Sequence, residues 1–504
     1  MQTADDRPSP PASQFTTFMK FDWATGQALG YYGTLWNLSE HDREIDSHHY
    51  TNPIIWHSDG RVYLRRGGDN GSTQVFVPWT LEFIRIFNRD AQGIVRPNGI
   101  DATALMQVYK DMLICRYGHT LQTTQPFYAG SIAEPCYVDP NEGPDAAHPD
   151  VLGKLRATVG PTVPLTPGAD GIYADYSRYG DYPKCANDVC VMAARVSSPT
   201  GYRVWLEATD LAGYQTLWTG HWSSDSGGAQ GFYTSISDYW RFIATESGHY
   251  IFFTRGSGQP VTVRAVDLRT GEEKWFKPMP NSQERPLLAY HAGCVYVIGR
   301  ADQYKLNVAD GTEVWHTTHS FPYDRGYILG NHEDSSTFAV TQDPLYRPAV
   351  LTNDTLWFVD GDTPNTSLPP SAATLVGLRT ADGQIIKQID LRSFYVNTPR
   401  ETVQVVNDLL IADGKLGVLV GVKRSDSAYP NSNGMDYQDL YVFAVRRAGD
   451  FNNDGKVNIF DLQRMASTWN KQQGEPGYDA TCDLTGDGKV DVMDLQILAN
   501  SWNR

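Results

Sequence analysis

A strand–turn–strand unit with glycine in its turn recurs along residues 14–447 and constrains the fold more than any other feature. One copy places Thr270 and Gly271 in the turn and ends at Trp275. Thr-Gly and Asp-Gly are hairpin turns, because glycine accepts the positive φ that such turns require. The unit therefore predicts antiparallel hairpins. Its copies are residues 21–29, 207–218, 265–275, 306–315 and 378–386.

Strands with alternating apolar residues precede several of these copies, so the full repeat is about four strands long. They are residues 250–254, 294–298, 355–359 and 415–420. Four-stranded sheets repeated around an axis are the blades of a β-propeller. We expect a mainly β propeller of roughly seven blades over residues 14–447, with six or eight left open. A strand near residues 15–21 is expected to complete the last blade, begun by residues 402–445, and so remove a free edge.

The repeat resembles that of propellers named after pyrroloquinoline-quinone (PQQ) enzymes, and residues 265–275 are the best match. The resemblance implies the fold of the body but does not imply that the protein binds the cofactor. Quinone-dependent alcohol dehydrogenases of this kind carry adjacent cysteines, and this chain has no Cys-Cys pair. We therefore expect no PQQ.

Six cysteines leave the disulfide pairing open. Cys185 and Cys190 are close enough to bridge across a turn, and Cys115 with Cys136 is a second candidate pair. Buried free thiols are an equally good interpretation.

One segment interrupts the repeat, and another precedes it. Residues 118–184 are rich in Pro, Gly and Tyr and predict an insertion over one face of the propeller. Its tyrosines suit sugar rings or a protein partner, although a simple capping loop is also consistent. Residues 1–13 are rich in Pro and Ser and predict a flexible tail. They lack the basic flank and apolar stretch of a signal peptide.

Residues 448–504 contain two copies of a calcium-loop pattern that start at Asp450 and Asp483. Oxygen-bearing side chains fall at loop positions 1, 3, 5, 9 and 12, position 6 is Gly, and position 7 supplies its backbone carbonyl. The predicted ligands of two Ca²⁺ ions are Asp450, Asn452, Asp454, Lys456, Asn458 and Asp461, then Asp483, Thr485, Asp487, Lys489, Asp491 and Asp494. Thr485 is expected to be a weaker ligand than Asn452.

Each loop leads into apolar residues at helical spacing, which predicts one short helix with one buried face after each loop. We expect the two helices to face each other and to bury Trp469 and Trp502. The stripes are Leu462, Met465, Ala466 and Trp469, then Leu495, Leu498, Ala499 and Trp502.

The duplicated loop and helix resemble type I dockerin repeats from Asp450 to Arg504. The resemblance implies a small all-α module with two EF-hand-like loops that docks onto a cohesin domain. Loop positions 10 and 11, which are Ser-Thr in many clostridial dockerins, are the apolar pairs Ile459-Phe460 and Val492-Met493 here. These pairs are candidate partner-binding residues. Alternatively, they pack on the chain's own body or on a neighbouring copy.

Composition narrows the functions that remain. The net charge of −16 argues against nucleic-acid binding. The sequence contains no run of about 18 apolar residues, so we expect no membrane span. No spacing singles out a catalytic set among the candidates at residues 48–50, 221–222 and 331–334, so the catalytic residues are unknown. We expect a secreted, extracellular or cell-surface protein for ligand binding or scaffolding. The alternative is a carbohydrate-active enzyme, a polysaccharide lyase or glycoside hydrolase of a dockerin-bearing system.

Overall fold

A computed structural model gives the arrangement of about three-fifths of the chain. It describes residues 2–4, 15–21, 28–35, 54–56, 62–65, 73–77, 82–87, 104–110, 112–119, 132–139, 154–158, 167–174, 184–199, 201–223, 242–254, 260–282, 286–321, 349–351, 354–361, 373–395, 401–412, 415–424, 437–444, 449–452, 456–485 and 488–502.

The described strands form eight antiparallel sheets, each built from strands that are consecutive in the chain. The first three sheets contain β1 (Gln2–Ala4), β2 (Phe15–Phe21) and β3 (Ala28–Leu35); β4 (Ile54–Trp56), β5 (Val62–Arg65), β6 (Thr73–Val77) and β7 (Glu82–Phe87); and β8 (Ala104–Tyr109), β9 (Met112–His119), β10 (Ile132–Asp139) and β11 (Lys154–Thr158).

The next three sheets contain β12 (Tyr173–Ala174), β13 (Lys184–Ala186), β14 (Val189–Ser198), β15 (Gly201–Asp210) and β16 (Gln215–Ser223); β17 (Ile243–Ala244), β18 (His249–Thr254), β19 (Val261–Asp267) and β20 (Glu273–Met279); and β21 (Leu287–His291), β22 (Cys294–Ile298), β23 (Gln303–Asn307) and β24 (Glu313–Thr317).

The last two sheets contain β25 (Ala349–Leu351), β26 (Thr355–Gly361), β27 (Ala373–Arg379) and β28 (Ile385–Asp390); and β29 (Glu401–Ala412), β30 (Lys415–Arg424) and β31 (Tyr437–Ala444). A short 3-10 helix, Leu391–Tyr395, follows β28. Two α-helices follow the strands, α1 (Ile459–Ser467) and α2 (Val492–Asn500). The predicted mainly β body with a small helical C-terminal module is therefore confirmed.

The first and last sheets differ from the expected closure. We expected residues 15–21 to complete the final sheet, but β2 pairs with β1 and β3, and β31 ends a separate sheet of three strands. The reason is that Gln2–Ala4, inside the predicted tail, pairs with Thr16–Phe18 and occupies that edge of β2. Strand β1 in turn lies beside β31. Residues 5–13 of the predicted tail lie outside the described residues.

The segment predicted as an insertion contributes strands to the sheets. Strands β10 and β11 extend the sheet of β8 and β9, and Tyr173–Ala174 pairs with β14. Prolines obscure this pattern in the sequence, because Pro135 lies inside β10 opposite Arg116. Most of the tyrosines that suggested a binding surface lie outside the described residues.

Tryptophans tie consecutive sheets together in the middle of the chain. The indole Nε1 of Trp275, on β20, donates to the carbonyl of Val308 at 2.7 Å, in the turn before β24. A Cβ added to Gly311 in that turn would lie 2.7 Å from Cδ2 and Cγ of Trp275. The outer strand of one sheet therefore packs, through its tryptophan, against the glycine turn of the next sheet.

The same contact occurs on either side of this junction. Trp218 Nε1 donates to Leu268 O at 2.9 Å beside Gly271, and Trp315 Nε1 donates to Thr380 O at 2.9 Å beside Gly383. The glycine and tryptophan of the sequence repeat are therefore contact partners across sheets rather than within one sheet.

The packed sheets bury their inner strands on both faces. All but the first residue of β18 is buried, and β22 shows the same pattern. A strand in an isolated sheet with one wet face would alternate buried and exposed residues. The continuous burial follows because each of these sheets is covered by the sheet before it and the sheet after it.

The C-terminal helices share a small core. It consists of Phe451, Val457, Met465, Cys482, Val490 and Leu498. Val457 and Val490 occupy the same position of the two loops, and both are fully buried. The expectation that both helix-terminal tryptophans are buried is wrong for Trp469, which is 37% exposed, whereas Trp502 is partly buried against this core.

Two glycine variants should separate the cost of the turn conformation from the cost of the indole contact. Gly311→Ala and Gly293→Ala both place Ala at positive φ, +70° and +74°, but only the Cβ at 311 meets an indole. We expect Gly293→Ala to lose about 1–2 kcal/mol and Gly311→Ala to lose about 1–3 kcal/mol more. Urea unfolding of both variants measures the difference. Equal losses would contradict a tight contact between these sheets.

Candidate metal centre

The two calcium loops, residues 450–461 and 483–494, surround the N-termini of α1 and α2. The structure describes both loops except residues 453–455 and 486–487, so Asp454 and Asp487 lie outside it. Position 6 of the second loop, Gly488, has φ +86°, which is the sharp turn that the pattern predicts.

Asp461, the last predicted ligand of the first loop, is fully buried and folds the loop onto the helix. Its Oδ1 accepts hydrogen bonds from the backbone N–H groups of Phe451 at 2.6 Å and Asn452 at 3.2 Å. Its Oδ2 accepts from the N–H of Asn458 at 2.9 Å. One carboxylate therefore joins the start of the loop, its ninth position and the first turn of α1.

Asn458 and Asp461 together form a capping box at the start of α1. The Oδ1 of Asn458 accepts from the N–H of Phe460 at 2.9 Å. This oxygen caps the helix and keeps a second lone pair, so Asn458 could also serve as a ligand of an ion in the loop.

The second loop repeats the arrangement with one change. Asp494 is fully buried, and its carboxylate accepts from the N–H groups of Thr485 at 2.9 Å and Asp491 at 2.7 Å. The Thr485 hydroxyl also hydrogen-bonds to Asp494 Oδ1 at 3.1 Å and to Asp483 Oδ1 at 3.2 Å. Thr485 therefore contacts two of the predicted ligands of its loop, and its weaker binding of the ion stays a prediction.

Asp483 is oriented by groups that the sequence pattern did not identify. Its Oδ2 accepts from the Tyr478 hydroxyl at 2.7 Å and from the N–H of Gly488 at 2.8 Å. In the first repeat, Arg464 donates to Phe451 O at 2.7 Å and to Asp479 Oδ2 at 2.9 Å. Tyr478, Arg464 and Asp479 were missed because they lie outside the loop pattern.

The residues present fit a hard divalent cation. Asp450 is 5% exposed, and the position-12 carboxylates are fully buried and accept hydrogen bonds from neutral backbone N–H groups. Buried carboxylates are costly unless charge is supplied nearby, and Ca²⁺ prefers six to eight such oxygens. Within the described residues, no three or more His, Cys, Asp and Glu side chains lie close enough together to hold a metal ion. Two of the loops' carboxylates lie outside that part.

The predicted partner-binding residues are exposed. Ile459 and Phe460 on α1 are 51% and 63% exposed, and Val492 and Met493 on α2 are 63% and 55% exposed. The alternative in which these pairs pack on the chain's own body is therefore wrong.

The candidate catalytic residues receive little support. His221 lies on β16, where its ring stacks on that of Trp205 with centroids 6.0 Å apart. Burial and the nearby Arg203 lower the pKa of His221, so its imidazole is neutral at pH 7. Residues 48–50 and 331–334 lie outside the described residues.

Comparison with protein families identifies the C-terminal module. Residues 448–503 match the family described as the dockerin type I domain, so the chain carries such a domain at its C-terminus. Type I dockerin domains bind calcium and dock onto cohesin domains. No curated protein matches the chain.

Solved structures resemble the whole chain weakly. BamB from Moraxella catarrhalis is 9% identical with a TM-score of 0.39, covering 78% of this chain and 87% of that one. Quinohemoprotein alcohol dehydrogenase from Comamonas testosteroni is 12% identical with a TM-score of 0.39, covering 79% and 75%. Polysaccharide lyase Uly1 is 11% identical with a TM-score of 0.35, covering 80% and 91%. In the described part, no helix has the length and apolar character needed to cross a membrane.

Neutralising Asp461 should remove calcium binding from the first loop alone. We expect the full chain to bind two ions and Asp461→Asn to bind one, because the amide lacks the charge and one acceptor oxygen. Isothermal titration with CaCl₂ after chelator treatment gives the stoichiometry. Glu475→Gln, which changes an exposed acidic residue of the same module between the two loops, should keep two ions. Two ions in Asp461→Asn would contradict the ligand assignment.

Proposed function

We propose that the protein is an extracellular binding or scaffold protein that is attached through its dockerin domain to a cohesin domain of a partner. The two exposed apolar pairs carry the proposal. They sit at the same loop positions of the two repeats, 33 residues apart, and each follows a capped helix start. Apolar side chains held on rigid helix ends suit a docking surface.

Calcium links this surface to the fold of the module. Ile459 and Phe460 are the first two residues of α1, and that helix start is held by Asp461, a proposed ligand. An ion in each loop would draw the loop oxygens inward and fix the helix start from which the apolar pair projects. Two ions, one per loop, are proposed, bound by the residues named from the sequence.

The body is proposed to be a closed β-propeller with its module boundary at residues 447–448. Consecutive sheets joined by the tryptophan contacts, and the position of β1 beside β31, favour a ring in which the first and last sheets meet. The eight described sheets favour eight blades over the seven expected. One end of such a ring would offer the ligand-binding face.

The described histidines favour binding over catalysis. His316 Nε2 lies 3.1 Å from the fully buried Asp302, whose carboxylate also accepts from the N–H of Asn281. His319 Nε2 lies 2.8 Å from the carbonyl of Gly383. His316 thus contacts the carboxylate that also holds the loop after β20, and His319 contacts the glycine turn before β28 in the next sheet. No PQQ is proposed, and polysaccharide stands only as a candidate ligand.

Docking should depend on the apolar pairs and on calcium. We expect Phe460→Ala/Met493→Ala to weaken binding to a cohesin domain by about tenfold or more, with EDTA abolishing it. Surface plasmon resonance against a panel of immobilised cohesin domains measures this. Phe276→Ala on β20 is the matched control, since Phe276 is 58% exposed but lies on the body.

Each outcome of this experiment has a clear meaning. Binding that is unchanged in the double variant would contradict the assigned surface. Binding that persists in EDTA would contradict the role of calcium. Failure of every cohesin, together with calcium-dependent growth in particle size by light scattering, would show that the partner is a neighbouring copy.

A further inference from the structure

The β13–β14 hairpin brings two cysteines into direct opposition. Its register pairs Ala186 with Val189 and Cys185 with Cys190 around a two-residue turn. Both turn residues, Asn187 and Asp188, have positive φ, +49° and +59°, which is the pattern of a type I′ turn.

The position of the cysteines in the ladder suits a covalent bridge. The pair that closes a two-residue turn exchanges backbone hydrogen bonds, so the next pair outwards is a non-hydrogen-bonded pair. Its Cα atoms lie about 4.5 Å apart with both side chains on one face. Disulfides span Cα separations of about 4.4–6.8 Å. Both thiols are free in this structure, and that of Cys185 hydrogen-bonds to Cys190.

The turn that this pair would hold is tied to two neighbouring sheets. Towards the preceding sheet, Asp188 forms a salt bridge with Lys110 and its N–H donates to the Tyr109 hydroxyl at 3.1 Å. Towards the following sheet, Asn187 Nδ2 donates to Glu246 O at 2.9 Å, and Arg269 donates to Asn187 O at 3.3 Å.

Backbone pairing alone holds the turn weakly on one side. β13 has only three residues, whereas β14 has ten and pairs along its whole length with β15. A bond between Cys185 and Cys190 would anchor the short strand to the long one.

We propose that Cys185 and Cys190 form an intramolecular disulfide, and that this bond fixes the turn through which three consecutive sheets are joined. The oxidant is a small disulfide, RSSR. The Cys185 thiolate attacks one of its sulfurs and releases RSH, and Cys190 then attacks the Cys185 sulfur and releases the second RSH. The two cysteine sulfurs lose two electrons and two protons in total, which the two RSH molecules carry.

Exposure assigns the order of attack. Cys185 is half-buried and is the more exposed of the two, whereas Cys190 is fully buried among Ile114, Met192 and Leu211. Burial, followed by the hydrogen bond to Cys190, raises the pKa of the Cys185 thiol. The bridge should therefore close slowly at pH 7 and faster as the pH rises, because only the thiolate attacks.

Peptide mapping of the full chain tests the bond. Native protein is held in a buffer of oxidised and reduced glutathione at mildly alkaline pH, then acid-quenched, denatured, alkylated and digested with trypsin. Residues 185–195 form one tryptic peptide that contains both cysteines. We expect it to be two hydrogens lighter than the reduced peptide and to carry no alkyl group.

The internal control is Cys294, which lies opposite His291 and Asn307 and faces no cysteine across its sheet. Its peptide should carry an alkyl group or glutathione. In Cys190→Ser, we expect Cys185 to keep a glutathione that the native protein expels. A native peptide 185–195 that is alkylated twice, or that retains glutathione on Cys185, would overturn the proposal.

Hydrogen–deuterium exchange tests the effect on the turn and needs only the native chain. We expect the amides of residues 184–191 and of Leu211, whose N–H donates to Asp188 O at 2.8 Å, to exchange several-fold more slowly after oxidation. Equal exchange in the oxidised and reduced protein would sink the claim that the bond fixes the turn, even if the bond forms.

Discussion

The body depends on the seating of an indole on a glycine turn of the next sheet. The contact couples two requirements at one point. Gly311 must be glycine both because its φ is positive and because Trp275 occupies the space of a side chain. The indole N–H satisfies a buried carbonyl, which would otherwise cost about 1–3 kcal/mol. Three such contacts in series fix the order and spacing of four consecutive sheets, and only sheets spaced in this way can bury their inner strands on both faces.

In the C-terminal module, the position-12 carboxylates likewise meet several structural requirements with one side chain. Asp461 and Asp494 cap a helix, close a loop and are proposed to bind an ion, so metal binding and helix formation are not separable there. The proposed docking surface would share this dependence, because its apolar residues are the first residues of the helices that those carboxylates hold.

Sequence reasoning succeeded where one residue type has one structural use. The positive φ of Gly271, Gly311 and Gly383 and the two short helices were predicted from turn chemistry and apolar spacing. It failed where local chemistry was ambiguous. In the turn after β15 it is Tyr214, rather than the neighbouring Gly213, that takes positive φ, at +52°. Strand β10 contains a proline, and the three-residue β1 is too short to show any period, so both were read as loop or tail.

The amino-acid sequence by itself determined the repeat of hairpins, the spacing of oxygen ligands and the apolar pairs beside them, because these depend on neighbours within about a dozen residues. Only the tertiary structure decided which tryptophan meets which glycine, that β2 pairs with β1 and β3, and that Tyr478 and Arg464 brace the loops. The physical reason is that these contacts join residues at irregular separations along the chain, so no repeating pattern in the sequence predicts them. Cys185 and Cys190 lie between these cases, since their spacing permits a bridge but the register of the hairpin brings them face to face.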